Sequence, residues 1–201
     1  MTKEGVFFDN HVECVKHFLK GQIAMEDVRR ELMAQAAKME KTGLPLTHVD
    51  SHQHMHMLPG VIDISLDVAA LLHLDAVRIS RTPLFTAFAG MGQLIGRLGL
   101  FTLSELSLWK AKRRHFRVPD HFEGIVAGEA VHEGHFLHIL KDLRPGTTEV
   151  MMHPGTDNEK LIPACDWEHD FEAEMQAIVS PKVRRMIADK AVKVVNYRDL
   201  K

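Results

Sequence analysis

His48, Asp50, His52, His54 and His56 occupy every second position of the segment Thr47-His48-Val49-Asp50-Ser51-His52-Gln53-His54-Met55-His56-Met57-Leu58-Pro59. In an extended chain, alternate side chains face the same side. Five groups able to bind a metal would then line one face. Neutral imidazole and carboxylate are standard ligands of zinc and related divalent ions. A carboxylate can also orient a ligating imidazole from behind. The five span too great a length for one ion, so the expectation is two of them plus a group from elsewhere. The plainer reading is a row of surface histidines on a polar strand face. Against it stands the cost of burying five such groups, without a partner, at the end of a strand that reads as buried.

A second segment is Glu149-Val150-Met151-Met152-His153-Pro154-Gly155. A histidine at the C-terminal end of a parallel strand sits where α/β folds place their active sites. The Pro-Gly pair makes a tight turn that fixes the imidazole. His153 is therefore a candidate acid, with a helix cap or a satisfied core histidine as the alternative. A third segment is Val77-Arg78-Ile79-Ser80-Arg81. Arg78 at a strand end could orient a polar substrate or form a structural ion pair with an acidic neighbour. His11, His17, His73, His132, His135, His138 and His169 have no partner in sequence and read as ordinary surface residues.

The elements that must position these groups alternate. Residues 24–41 have Val28, Leu32, Ala36 and Met39 on one face, the period of an amphipathic helix, stopped by Gly43 and Pro45. Residues 46–51 read as a buried strand. A second helix runs from about 60 to 73 with Val61, Ile64, Val68 and Leu72 as its stripe, and 76–80 is a strand. Residues 84–118 look helical in two pieces, the first loosened by Gly90, Gly92, Gly96 and Gly99, and the apolar surface reads as core or an oligomer contact ahead of a substrate-channel wall. The alternation returns with a helix over 129–143, a strand over 148–152, helices over 170–178 and 181–190, and a last strand over 192–197. Ser180 is the expected N-cap and Pro181 the first residue of its helix. Helix–strand alternation predicts an α/β fold with a parallel sheet, in one domain over 1–201.

The 201 residues, 45% hydrophobic and 26% charged, suit an ordinary soluble domain. The net charge of -2 carries no long run of one sign. Arg113, Arg114, His115 and Arg117 make a short basic patch without a recognition motif or interleaved aromatics, so nucleic acid is not expected as a partner. Cys14 and Cys165 fit no metal or redox spacing. No apolar run reaches the length of a signal peptide or a membrane span, and a cytoplasmic protein is expected.

The segment THVDSHQHMHMLP resembles the His-rich motif of YdjC-like proteins, the group that includes chitooligosaccharide deacetylase. EVMMHPG resembles that family's second motif, Val77-Arg78-Ile79 a third, and KVVNYRDL its final strand. The hopanoid-biosynthesis-associated branch is similar around TGLPLTHVDSHQH. The resemblance implies a distorted (β/α) barrel and one divalent metal, magnesium or zinc. It also implies hydrolysis of N-acetyl groups from an amino sugar or oligosaccharide. His52 and His56 would bind the metal, and His153 would be the acid. Asp50 would orient His52 or a neighbour, while Arg78 and His54 would contact the sugar. The family's Asn-Ala-Asp-Asp-Phe-Gly strand and a Gly-x-His segment do not occur here. The first strands of the barrel, one metal-binding aspartate and the usual base are thus expected to be absent. The alternatives are a non-catalytic fragment binding metal or sugar, forming a homo-oligomer over its open sheet edge, and a different metallohydrolase such as a phosphoesterase.

Overall fold

The computed structural model describes residues 6–81, 91–125, 130–165 and 167–200, with the side chains of 91–97 left aside. Residues 84–90 of the expected helical stretch lie outside them. The chain divides into two compact units. One comprises the residues up to Ile79 together with Thr102–Val118; the other comprises Ser80–Phe101 and Pro119–Leu200.

In the first unit, helix α1 (His11–Leu19) starts at Asn10, whose side chain accepts from the Glu13 amide at 3.0 Å. Helix α2 (Met25–Glu40) coincides with the expected helix and packs on α3 (Val61–Leu71). The mean hydropathy of α3 is high because it buries Ile62, Ile64, Leu66 and Ala69 on more than one side. Its polar residues are spent on neighbours. Asp63 receives Lys110 at 2.6 Å, and Asp67 receives both Arg29 and Arg114 at 2.9 Å. Asp63 and Asp67 stand one turn apart on α3; Lys110 lies in the last turn of α4 (Met91–Arg113), and Arg114 directly follows it. Charge pairs thereby join α3 to the end of α4, with Asp67 also reached by Arg29 of α2.

The expected strands of this unit shrink to single parallel bridges, Val49 with Val77 and Ala76 with Arg117. The ladder is regular while it lasts. Val49 N donates to Ala76 O at 3.3 Å, Arg78 N to Val49 O at 3.0 Å, and Val77 N to Arg117 O at 3.1 Å. The two helical pieces expected over 84–118 are, from Met91, one helix ending at Arg113. His115 at φ 61° then turns the chain, so that Phe116 is buried and Arg117 joins the bridges.

The second unit holds the small parallel sheet, β1 (His121–Glu123) beside β2 (Thr148–Val150). Helices α5 (Glu133–Lys141), α7 (Phe171–Val179) and α8 (Pro181–Asp189) pack together beside it, with α6 (Asn158–Cys165) against α7. Phe122, Val131, Ile139, Phe171 and Val183 are buried there. Ser180 caps α8 through the amides of Lys182 and Val183, with Pro181 in the first turn, as the sequence predicts. The strand expected over 192–197 does not form. Val194 is 75% exposed, and without a neighbouring strand to accept its amides, β propensity alone does not hold a strand. The chain closes instead in a short 3-10 turn, Tyr197–Asp199, boxed by Asn196.

The architecture is a mixed α/β, helix-rich one in which every strand pairing among the described residues is parallel. Gly124, directly after β1, sits at φ 98°, and a Cβ there would lie 2.2 Å from the Met151 carbonyl oxygen. Only glycine lets β1 leave the sheet so close to β2. Gly124→Ala is expected to cost about 1–3 kcal/mol of stability, read from the midpoint of urea unfolding.

Candidate functional site

The histidine segment of the first unit does not stay extended. It stops at Ser51, and residues His52–Met57 form a 3-10 turn in which Gln53 (φ 52°) and His54 (φ 57°) take left-handed backbone. The alternation that would have aligned five ligands is broken at its centre. The gain is local. The turn brings His56 back to Ser51, whose Oγ accepts the His56 amide at 2.9 Å and lies 2.7 Å from Nδ1. On the other edge of the ring, Nε2 lies 2.7 Å from the carbonyl oxygen of Arg78. A carbonyl only accepts, so Nε2 carries a hydrogen toward Arg78, while Nδ1 and the Ser51 hydroxyl share the other hydrogen bond. His56 is 2% exposed. The expected metal ligand His56 is thus a buried tie between the histidine turn and the Val77–Arg78 bridge, with both nitrogens committed.

Asp50 and Arg78 meet. The guanidinium donates to Asp50 Oδ2, which is the ion-pair alternative for Arg78. His52 is exposed, and His54 is half-buried in the same turn. Among the described residues, no group of three metal-capable donors forms around His52.

The second unit assembles a tighter cluster. Strand β2 delivers its chain to the C-terminal edge of the sheet, where Met151 N donates to Glu123 O at 2.9 Å. Two residues on, the amide of His153 donates to Oε2 of Glu174. Oε1 of the same carboxylate accepts the Val131 amide at 2.8 Å. Glu174 is 1% exposed, and these amides satisfy its buried oxygens. Gly155 completes the turn. Its amide donates to Phe171 O at 2.9 Å, and an added Cβ would meet Phe171 Cβ at 2.9 Å and Leu161 Cδ1 at 2.3 Å. The His-Pro-Gly turn therefore lies pressed on the start of α7 in a way that only glycine permits.

Around His153 stand aromatic rings. Trp167 stacks on His169 at 4.1 Å between centroids and 22° between planes, and meets His153 edge-on at 5.0 Å. His169 lies 5.5 Å from His153 and 4.8 Å from Phe171. His169 was expected to be a surface residue and is instead 8% exposed, with Nε2 3.3 Å from Glu174 Oε1. Packing decides this: Trp167 and Phe171 close over it. Adjoining the turn is an open cavity of about 500 Å³, lined by Gly155, Thr156, Asn158, Asp170, Ala173 and Gln176 among others. Its walls supply carboxylates, amides and a hydroxyl, the hydrogen-bonding groups that a polyhydroxylated ligand needs. At the end of β1, burial pushes the Glu123 carboxyl above the ordinary range, against the pull of Arg144.

Sequence reasoning missed Glu174 and His169. The signal was there in part: Glu174 follows Phe171 by three residues and precedes Ala177 by three, the spacing of the apolar stripe of α7.

A family model described as "YdjC-like protein" matches residues 1–189. The chain belongs to the YdjC-like family. A carbohydrate deacetylase of Thermoanaerobacter pseudethanolicus is 27% identical over 88% of this chain and 61% of its own length. A carbohydrate deacetylase of Mus musculus is 29% identical over 90% of this chain and 64% of its own. A chitooligosaccharide deacetylase of Yersinia enterocolitica is 25% identical over 89% and 63%. The YdjC-like chain thus spans about three-fifths of the length of these relatives. No helix among its described residues is long and apolar enough to cross a membrane.

The start of α7, on which the His-Pro-Gly turn rests, depends on Asp170. Its carboxyl accepts from Asn158 at 2.8 Å and from the Ala173 amide at 2.9 Å. These bonds, Asn158 first, hold it below its usual 3.8. A depressed carboxylate contributes stability above its unfolded value and loses it as the pH falls through the lower folded value. Asp170→Ala is expected to be about 1 kcal/mol less stable at neutral pH. The gap should narrow as the pH falls below 3.8 and through the lowered folded-state value, as followed by urea unfolding at neutral and at acidic pH.

Proposed function

We propose that this YdjC-like chain acts in removing N-acetyl groups from an amino sugar or oligosaccharide, with His153 as the proton donor. The observation that carries the reading is the anchoring of His153. It stands at the C-terminal edge of a parallel strand pair, its amide held by buried Glu174 and its turn locked by Gly155. The names of the relatives, carbohydrate and chitooligosaccharide deacetylase, supply the substrate class.

Hydrolysis adds water to the acetyl carbon, breaks the C–N bond and releases acetate. The nitrogen leaves as an amine only if it receives a proton. A positioned imidazolium near neutrality suits that transfer. In this reading His153 gives its proton to the departing sugar nitrogen, and the polar cavity beside Gly155 receives hydroxyl groups of the sugar.

The family resemblance implies a divalent metal, magnesium or zinc, which would polarise the acetyl carbonyl and acidify a bound water. The pair first expected to hold it fits only by half. His52 stays exposed and remains a proposed donor, whereas both nitrogens of His56 are engaged. Asp50, paired with Arg78, is proposed to steady the chain that presents His52, and Arg78 with His54 to frame a sugar-facing edge of the first unit.

His153→Gln keeps the amide to Glu174 and removes the titrating ring. It is expected to lower kcat for acetate release from an N-acetylated chitooligosaccharide by roughly 10²–10⁴-fold, with KM little changed. Unaltered turnover in this variant, or no acetate from the parent chain, would sink the reading.

A further inference from the structure

We propose that His153, His169 and Glu174 form a binding site for one zinc-class divalent cation. One donor atom from each of the three lies within 4.8 Å of the others. The decisive observation is His169. Its ring is buried, and Nε2 makes no hydrogen bond among the described residues. It does stand 3.3 Å from Glu174 Oε1, within ion-pair distance but off hydrogen-bond geometry. A buried imidazole nitrogen left in this way costs free energy unless something ligates it. Trp167 stacks on the ring at 4.1 Å between centroids and restricts its plane.

Glu174 can serve without giving up its present bonds. Each carboxylate oxygen has two lone pairs, and the amides of Val131 and His153 use one on each. Those amides then act as the outer partners that fix a ligating carboxylate. His153 is the exposed member, so the site opens to solvent on its side. Two imidazoles and one carboxylate with an open fourth position match the donor set of open zinc sites. Bonds of about 2.0–2.2 Å place tetrahedral ligands about 3.3–3.5 Å apart. The cluster closes to that span by rotation of the exposed His153 ring, while the two buried donors keep their places.

One consequence rests on the deacetylase reading: a His153 that ligates zinc cannot carry the departing proton, so zinc at this site inhibits turnover. Binding itself does not depend on that reading.

The test uses the whole chain after chelator treatment. Zinc is titrated in competition with a chromophoric chelator, and cobalt is titrated by its visible absorption. One equivalent is expected, with the band of a low-coordinate cobalt centre. His169→Phe and His153→Gln should each weaken zinc at least 10-fold, whereas the exposed control His138→Ala should not. Far-ultraviolet circular dichroism checks that the His169 variant is folded, and the exposed His153 substitution gives the same answer without touching the core. Binding that survives both substitutions, or no saturable binding, overturns the site. Saturable binding lost in both variants upholds it even where no acetate is released, an outcome that sinks only the enzyme reading. Acetate release without saturable zinc binding overturns the site and leaves the enzyme reading standing.

Discussion

The carboxylate of Glu174 is the constraint on which the second unit turns. It reaches from α7 to the end of β2 through the His153 amide and to the entry of α5 through the Val131 amide. Three elements far apart in sequence are thereby fixed to one side chain, and the ring that faces it is His169. Removing one partner of a buried charge leaves the rest uncompensated, which is costlier than the worth of any single bond. The histidine turn therefore has little freedom: its chain is tied at residue 153 by charge and at Gly155 by close contact.

The first unit uses a similar device with an imidazole. His56 joins Ser51 to the carbonyl of Arg78, twenty-two positions along the chain. It occupies a place where a strand ladder would otherwise supply the hydrogen bonds. The bridges on either side, at Val49–Val77 and Ala76–Arg117, are short enough to need that help. The charge pairs of Asp63 and Asp67 with Lys110 and Arg114 then fasten the helical side.

Much of this was legible in the chain. Helices α2 and α3 follow from apolar periodicity, and the start of α8 from Ser180-Pro181, because those signals are local. His153 at the end of β2 was legible for the same reason. The turn at residues 52–57 was not, because its cause is the Arg78 carbonyl, and the alternating histidines gave the opposite signal. β1 is three residues long and α6 contains Pro163, so neither carries a usable period. His169 was read as surface and Glu174 was not singled out, because charged and titratable residues are usually exposed. Only the pairing across α7 and β2, a tertiary fact, reverses that.

The chain contains two tryptophans. Trp109 stands 52% exposed on α4 beneath Arg113, and Trp167 lies against His169 and His153. Indole emission responds to the charge of a neighbouring imidazole. The light this protein emits thus divides between a helix surface and the histidine cluster, and the second share is a built-in optical gauge of whatever those rings hold.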